Sequence, residues 1–276
     1  MTHRPTSLQN PPEQWDLFGE RGVERSDIAA KNVEVDPKTF EDQELIEQVA
    51  KAKLSNVHAL CTQIIERNLG DTAVPGLVAL WSRFQGFGII TPLPEQQLAL
   101  QTLGAIGNHA AQAAISKILV APDLPDSLLP LALQAATTVA LRLPQQQVIP
   151  WLGHESPIVR ALAFTLIQAA NPPLNILETG LTDPDPSVRR AALVTVGNLG
   201  HHVAKSGLLA EFGKNPTSQI VRALLALADE EIIVITGRYA LENQAHQALI
   251  ADELSTLDDP KATKIALRIK IQMRQR

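Results

Sequence analysis

The stretch Thr182-Asp-Pro-Asp-Pro-Ser-Val-Arg-Arg-Ala-Ala-Leu-Val-Thr-Val-Gly-Asn-Leu-Gly200 predicts one helix with a start signal and a stop signal. Asp185 is a helix-capping residue type, and Pro186 suits the first helical position, where its missing N–H costs nothing. Gly200 allows the left-handed conformation that ends a helix. The apolar residues between them recur at helical spacing and form one stripe: Val188, Ala191, Ala192, Val196 and Leu199. Because one helix cannot bury such a stripe alone, the unit must recur along the chain.

The unit does recur. Breaks within helix pairs are predicted at Gly70-Asp71, Gly107-Asn108, Leu143-Pro144, Asn171-Pro172, Gly200-His201, Ala228-Asp229 and Asp258-Asp259. From Leu143 onward they are 28 to 30 residues apart, whereas the first three are about 36 apart. Two helices per period predict an all-α fold, a right-handed α-α superhelix of about seven helix pairs over residues 39–276. We expect the helix before each break to be the longer one, and we predict no strand.

Composition limits the class of protein. Of the 276 residues, 45% are hydrophobic and only 4% are aromatic, which favours closely stacked helices. A net charge of −5 argues against a general nucleic-acid binder, so direct nucleic-acid binding is not expected. Cys61 is the single cysteine and is expected in the core, without a disulfide. No apolar leader or membrane span is predicted, so we expect a cytoplasmic protein without a membrane partner.

The quoted stretch and its recurrences carry a family resemblance. Asp183-Pro-Asp-Pro-Ser-Val-Arg-Arg-Ala-Ala-Leu and Gly197-Asn-Leu-Gly resemble the HEAT-like repeat first described in phycobilisome lyases. Segments in register with them contain Ile158-Val159-Arg160, Val188-Arg189 and Ile220-Val221-Arg222. The resemblance covers roughly residues 43–276 and implies a HEAT-like solenoid. It also implies that Arg160, Arg189 and Arg222 form a structural ladder by bonding acidic or carbonyl groups of adjacent turns, but it implies little about function.

No motif supplies a recognisable catalytic apparatus. His154-Glu155 is a single pair, whereas the di-iron hydroxylases built on HEAT repeats place such a pair in several repeats. HEAT-type DNA glycosylases need a cationic face, and segments 110–119 and 145–152 carry only Lys117 between them. No residue indicates the bilin site of the phycobilin lyases. We therefore expect no catalytic residue, no metal ligand and no cofactor, and a protein that is not an enzyme.

Residues 1–38 are predicted to form a disordered tail, because prolines and charges dominate them. One apolar island, Gln14-Trp15-Asp16-Leu17-Phe18, interrupts this tail and is a candidate protein-binding motif. It resembles the short motif by which bacterial proteins bind the replication sliding clamp. Leu17 and Phe18 would fill an apolar pocket while Gln14 forms a hydrogen bond at its rim. The alternatives are docking on the protein's own first repeat or on a different partner.

These observations predict a non-enzymatic adaptor or scaffold that binds a protein partner on its curved face. The alternative is a factor of DNA replication or repair that the tail tethers to the sliding clamp. The run Lys261 to Arg276 carries six cations and no acid. We expect it to form a helix whose cations complement its own C-terminal dipole, rather than a nucleic-acid site.

Overall fold

The computed structural model describes residues 36–275. The chain divides into a unit that ends at Thr39 and a compact unit from Phe40 to Arg276. In the first unit, Pro37–Thr39 forms a 3-10 turn. Over the described range the chain forms 15 α-helices and no strand. They are α1 (Asp42–Ala50), α2 (Val57–Glu66), α3 (Gly70–Arg83), α4 (Pro94–Ile106), α5 (His109–Leu119), α6 (Leu129–Thr138), α7 (Gln145–Leu152), α8 (Pro157–Ile167), α9 (Leu174–Leu181), α10 (Pro186–Asn198), α11 (Lys205–Lys214), α12 (Ser218–Leu225), α13 (Glu230–Glu242), α14 (Gln247–Ser255) and α15 (Pro260–Arg274).

Six of the seven predicted breaks fall between the helices of a pair, from α4–α5 to α14–α15, whereas Gly70 and Asp71 are the first two residues of α3, which pairs with α2. The all-α solenoid is therefore confirmed. The expectation of a longer first helix is wrong for three pairs: α2 has 10 residues against 14 in α3, α12 has 8 against 13 in α13, and α14 has 9 against 15 in α15. A break position does not determine helix length, because most helical stability in a protein comes from tertiary packing.

The pairs stack in two layers. In the even layer, each even-numbered helix from α2 to α12 packs against the next one, so the layer runs from α2 to α14. The odd-numbered helices form the second layer, and from α5 to α13 successive odd helices scarcely touch one another. The even layer is consequently continuous, and one of its faces carries no second layer of helices.

Local signals position these helices as the sequence predicts. Asp185 caps α10 by accepting a hydrogen bond from the backbone N–H of Ser187, at 2.8 Å. Gly200 follows α10 with φ of 78°, which only glycine adopts without strain. Val188, Ala192 and Val196 of the α10 stripe are completely buried, whereas Ala191 and Leu199 are half-buried. The core therefore follows the helical periodicity of the sequence.

The wider spacing of the first breaks also has a structural cause. The loops from odd to even helices span residues 84–93 after α3 and 120–128 after α5. The corresponding loops farther along the chain are shorter, at 153–156, 182–185 and 215–217. Much of the additional length in the early repeats thus lies in loops at one edge of the solenoid.

Candidate partner-binding groove

A groove of about 730 Å³ crosses the free face of the even layer over α8, α10 and α12. Ala191, Val194 and Thr195 of α10 form its floor, and polar side chains of the flanking helices form its walls. Thr195 donates a buried hydrogen bond of 2.8 Å from Oγ1 to the carbonyl oxygen of Phe164, which joins α10 to α8 beneath the groove. Its lining includes two arginines, Arg190 and Arg222, and no carboxylate. The lining therefore carries two guanidinium groups, of which that of Arg222 is paired with Glu253 outside the lining.

Arg222 is held rigidly at one side of the groove. Its Nε and Nη2 donate to the two carboxylate oxygens of Glu253 on α14, at 3.2 and 2.8 Å. Ser218 donates to the same carboxylate at 2.5 Å. Burial raises the pKa of Glu253, but the hydrogen bonds from Arg222 and Ser218 outweigh burial and leave that pKa below its usual range. Glu253 thus stays charged and fixes the guanidinium while leaving it largely exposed.

Arg190 is the more available cation. Its Nε lies 3.9 Å from Oε2 of Glu211, beyond hydrogen-bonding distance. Glu211 has a closer partner, because its Oε1 accepts from Nζ of Lys214 at 2.8 Å and Lys214 lowers the pKa of this carboxyl. The guanidinium of Arg190 therefore retains donors for a ligand.

Asn198 adds an unsatisfied acceptor to the groove. Its Nδ2 donates to Oε1 of Gln168 at 3.1 Å, which joins the amides of two repeats. Its Oδ1 is buried and has no hydrogen-bond partner among the described residues. A buried acceptor without a donor costs about 1–3 kcal/mol, so this oxygen is a local cost to stability.

The three predicted ladder arginines make two kinds of contact. Nη1 of Arg160 donates to the carbonyl oxygens of His154 and Glu155, and Nη1 of Arg189 makes the equivalent bonds to Asp183 and Pro184. Arg160 also reaches the next loop, where its Nε and Nη2 donate to the carboxylate of Asp183 at 2.8 and 2.9 Å. Arg222 makes neither loop contact but joins α12 to α14 through Glu253. Their role as a stabilising ladder stays a prediction.

The remaining candidate residues lie apart from the groove. Nδ1 of His154 accepts the backbone N–H of Ser156 at 3.0 Å, and among residues 36–275 no group of three or more His, Cys, Asp and Glu residues is arranged to hold a metal ion. Cys61 is buried, and burial raises the pKa of its thiol. Within the described range, no helix has the length and apolarity needed to span a membrane. The tail motif of Gln14, Trp15, Asp16, Leu17 and Phe18 lies outside the described residues.

Comparisons with known proteins agree with the fold. Residues 146–228 match the family model described as HEAT repeats. Among solved structures, the chain is similar to the complex of CpcE and CpcF of phycocyanin lyase from Nostoc sp. PCC7120, with a TM-score of 0.57 and 15% sequence identity. The match covers 92% of this chain and 99% of the other. No curated protein matches the sequence. The predicted HEAT-like solenoid is confirmed.

The same likeness corrects one prediction. We expected a protein that is not an enzyme, but the similar structure is that of a phycocyanin lyase, which is an enzyme of the bilin-lyase type. Lack of a recognisable catalytic motif was therefore an insufficient reason to exclude an enzymatic role, because one fold hosts many functions. At 15% identity the likeness shows the fold and transfers no substrate to this chain.

Proposed function

We propose that this protein is a partner-binding solenoid that holds an acidic segment of another protein in the groove across α8, α10 and α12. The observation that carries the proposal is the lining of the groove, which combines Arg190 and Arg222 with neutral hydrogen-bonding side chains and no carboxylate. The chain as a whole has a net charge of −5, so a positive groove is a local feature rather than a consequence of composition.

The geometry favours an extended acidic segment. Arg190 and Arg222 belong to successive even helices, so together they would contact acidic side chains at more than one point of such a segment. Charge-assisted hydrogen bonds from guanidinium to carboxylate are stronger than neutral ones, which supports carboxylates over hydroxyls as the recognised groups.

Partner binding is compatible with a role inside an enzyme. The similar solved structure is a complex of two proteins, CpcE and CpcF. By analogy at the level of the fold, we propose that this chain also works in company with a second chain. Any catalytic assay should therefore use the chain together with its partner.

Titration with model peptides tests the groove. We expect an acetylated and amidated nonapeptide with the repeat Glu-Ser-Gly to bind in the micromolar to millimolar range, more tightly than the same peptide with Gln for Glu. Substitution Arg190→Glu should weaken binding about tenfold or more, because it replaces an attraction by a repulsion. The measurement is fluorescence anisotropy at two salt concentrations, and added salt should weaken the interaction.

Arg238→Glu is the matched control. Arg238 is exposed on α13 in the odd layer and has no ion pair among the described residues, so this variant makes the same change of charge away from the groove. The dissociation constant of this variant for the acidic peptide should lie within about twofold of that of the unaltered protein. Equal binding of the Glu and Gln peptides, or equal losses in both variants, would refute the proposal.

A second candidate function comes from the tail. We infer from the pattern Gln14-Trp15-Asp16-Leu17-Phe18 that the tail binds a bacterial sliding clamp. Leu17 and Phe18 would each contribute on the order of 1.5–3 kcal/mol by burial, and Gln14 would distinguish the clamp from a generic apolar groove. This function is compatible with the groove, because the tail and the groove are separate parts of the sequence.

A peptide spanning residues 11–22 tests the second candidate. We expect micromolar binding to a bacterial clamp, because ordering a flexible segment offsets part of the burial. Peptides with Gln14→Ala, or with Leu17→Ala and Phe18→Ala together, should lose that binding. Isothermal titration calorimetry provides the measurement, and absence of heat with the unaltered peptide at high micromolar concentration would exclude the clamp.

A further inference from the structure

Apolar side chains gather at the edge where the early repeats have their loops. Leu54 is 65% exposed in the loop after α1, Ile90 is 92% exposed in the loop after α3, and Val120 is 50% exposed at the end of α5. With Phe87 and Ile89, which are also exposed, they form the surface that we call the apolar edge. The later loops at 153–156, 182–185, 215–217 and 243–246 expose no large hydrophobic residue. The apolar edge is thus confined to the first three loops.

Hydrogen bonds hold these loops in one conformation. Arg83 donates from Nη1 to the carbonyl oxygen of Ala50 at 2.9 Å and from Nη2 to that of Ala52, which joins α3 to the first loop. Gln96, which is buried, donates from Nε2 to the carbonyl oxygens of Phe84 and Phe87 at 3.0 and 3.3 Å. Little conformational entropy remains to be lost when such a surface binds.

The second and third loops are bonded to each other. Ser127 donates from its hydroxyl to the carbonyl oxygen of Gly88, and Gln85 donates to Asp123 at 2.6 Å. Gly88 has φ of 76°, a conformation that strains any residue with a side chain, so glycine is favoured here. The apolar side chains of this loop are therefore presented to solvent on a fixed backbone.

A cavity of about 190 Å³ lies between the same two loops and helices α3 and α5. Trp81, Ile118, Leu124 and Leu128 form most of its apolar wall. Lys117 and Asp123 also line it. Asp123 accepts a hydrogen bond from Gln85, whereas Lys117 forms no ion pair with an acidic residue among residues 36–275. Apolar cavities of about 150 Å³ hold one benzene molecule, so this one accommodates a single aromatic side chain.

We propose that the apolar edge and this cavity form a second docking site, for a protein segment with one aromatic anchor and a neighbouring carboxylate. The anchor fills the cavity, the carboxylate pairs with Lys117, and apolar residues of the segment cover Phe87, Ile89 and Ile90. A buried aromatic anchor surrounded by contacts that exclude water is the usual core of a protein interface. Insertions at one face of a solenoid are often located at its binding surface, which agrees with the longer early loops.

The charges favour a protein over a membrane surface. Asp123, which lines the cavity, and Asp126 are exposed in the third loop, and the chain carries a net charge of −5. An anionic lipid surface would cover both aspartates, whereas a single carboxylate of a peptide can lie at Lys117, and α3 to α6 present no cationic face of the kind that supports interfacial binding. A cavity that holds one side chain also does not match the many acyl chains of a bilayer.

Small probes test the cavity without knowledge of the partner. Chemical shifts of the full chain would be followed by NMR during titration with N-acetyltryptophan, N-acetyltryptophanamide and N-acetylalanine. We expect both tryptophan compounds to shift resonances of α3 and α5, with the carboxylate form about fivefold tighter because of Lys117. Lys117→Gln should remove that difference, and Ala114→Leu, which fills the cavity, should abolish binding of both. N-acetylalanine should leave the resonances of both helices unchanged.

A display library of random 12-residue peptides tests the edge. Peptides that bind the full chain would be selected, and those that also bind the Ala114→Leu protein would be removed. The remaining peptides should be enriched in an aromatic residue close to Asp or Glu. The double variant Ile89→Ser and Ile90→Ser should weaken an enriched peptide about tenfold yet leave N-acetyltryptophan unaffected, which separates the edge from the cavity. The Arg190→Glu protein should bind the probes normally, so this test stands or fails independently of the groove.

Three results would overturn the proposal. The first is the absence of chemical-shift changes in α3 and α5 at about 10 mM N-acetyltryptophan, which corresponds to a binding free energy weaker than about 3 kcal/mol. The second is unchanged binding of the probes by the Ala114→Leu protein. The third is a library that enriches no aromatic residue. Co-sedimentation with vesicles of phosphatidylserine and phosphatidylcholine that is lost in the Ile89→Ser, Ile90→Ser protein would assign the edge to a membrane and equally overturn it. Circular dichroism and thermal unfolding would confirm that each variant is folded.

Discussion

At the scale of single residues, arginines near the start of a helix bind the loop that precedes it in more than one repeat. Arg160 and Arg189 each satisfy two carbonyl oxygens of the loop that precedes their helix. Arg160 alone also forms a bidentate pair with Asp183 of the following loop, and both side chains of that pair are nearly enclosed. The hydrogen bond from Arg160 lowers the pKa of Asp183, which keeps the carboxylate charged. This pair therefore connects consecutive repeats, whereas Arg189 stabilises its own loop.

Removal of this carboxylate should give a pH-dependent loss of stability. We expect Asp183→Asn to reduce the free energy of unfolding by about 1–3 kcal/mol at pH 7. Since the folded-state pKa lies below the ordinary value of 3.8, the stabilisation is complete above that value and disappears as the pH falls through the folded-state pKa. The difference in stability between the unaltered protein and the Asp183→Asn variant, measured by urea unfolding, should therefore shrink below about pH 4.

Asp126→Asn serves as the control for that experiment, because Asp126 is exposed and has no ion pair among the described residues. It should change stability by less than about 0.5 kcal/mol at every pH. A difference for Asp183→Asn that stays constant from about pH 7 to about pH 3 would show that the ion pair is not the source of the effect.

At the scale of helices, close approach between elements depends on small residues. Gly180 lies near the end of α9, where an added Cβ would overlap the ring of Phe164 and lie 2.5 Å from Cβ of Ala192. Those atoms belong to α8 and α10, which are both packed in the even layer. Neither an aromatic ring in the core nor a Cβ has room to move aside. The absence of a side chain at Gly180 thus lets α9 lie against both helices.

Gly180→Ala should consequently destabilise the protein although alanine is the better helix former. We expect a loss of about 1–3 kcal/mol from overpacking, measured by urea or thermal unfolding. Gly213→Ala in α11 is the matched comparison, because an added Cβ there meets nothing within 4 Å. It should raise stability by up to about 1 kcal/mol through helix propensity. Equal effects of the two substitutions would mean that α9 is free to shift outward.

At the scale of the solenoid, two surfaces with different chemistry occur in different repeats. The groove spans α8 to α12 and is lined by arginines and neutral polar groups. The apolar edge belongs to the loops after α1, α3 and α5. Since each repeat contacts chiefly its neighbours, a change in one region of a solenoid has little effect on a distant one. Such an arrangement suits the simultaneous binding of two partners.

The sequence by itself determined the repeated helix pairs, most of their breaks and most of the buried stripe of α10. Periodicity, the cap at Asp185 and the left-handed turn at Gly200 are local signals, because each acts within one or two helical turns. The cationic pattern of Arg160, Arg189 and Arg222 was also visible as a repeat in register. The sequence did not exclude an enzymatic role, because neither the fold nor the absence of a catalytic motif determines the activity of a solenoid protein.

Only the tertiary structure decided which residues meet. Arg190, Asn198 and Arg222 form one groove because α10 and α12 lie side by side in the even layer, a relation set by packing angles rather than by local sequence. The wide early spacing was visible in the sequence, but only folding placed residues 84–93 against 120–128 to enclose a cavity. The physical reason is that side-chain contacts between repeats depend on interfaces about 30 residues apart in the chain, where no helical periodicity reports on them.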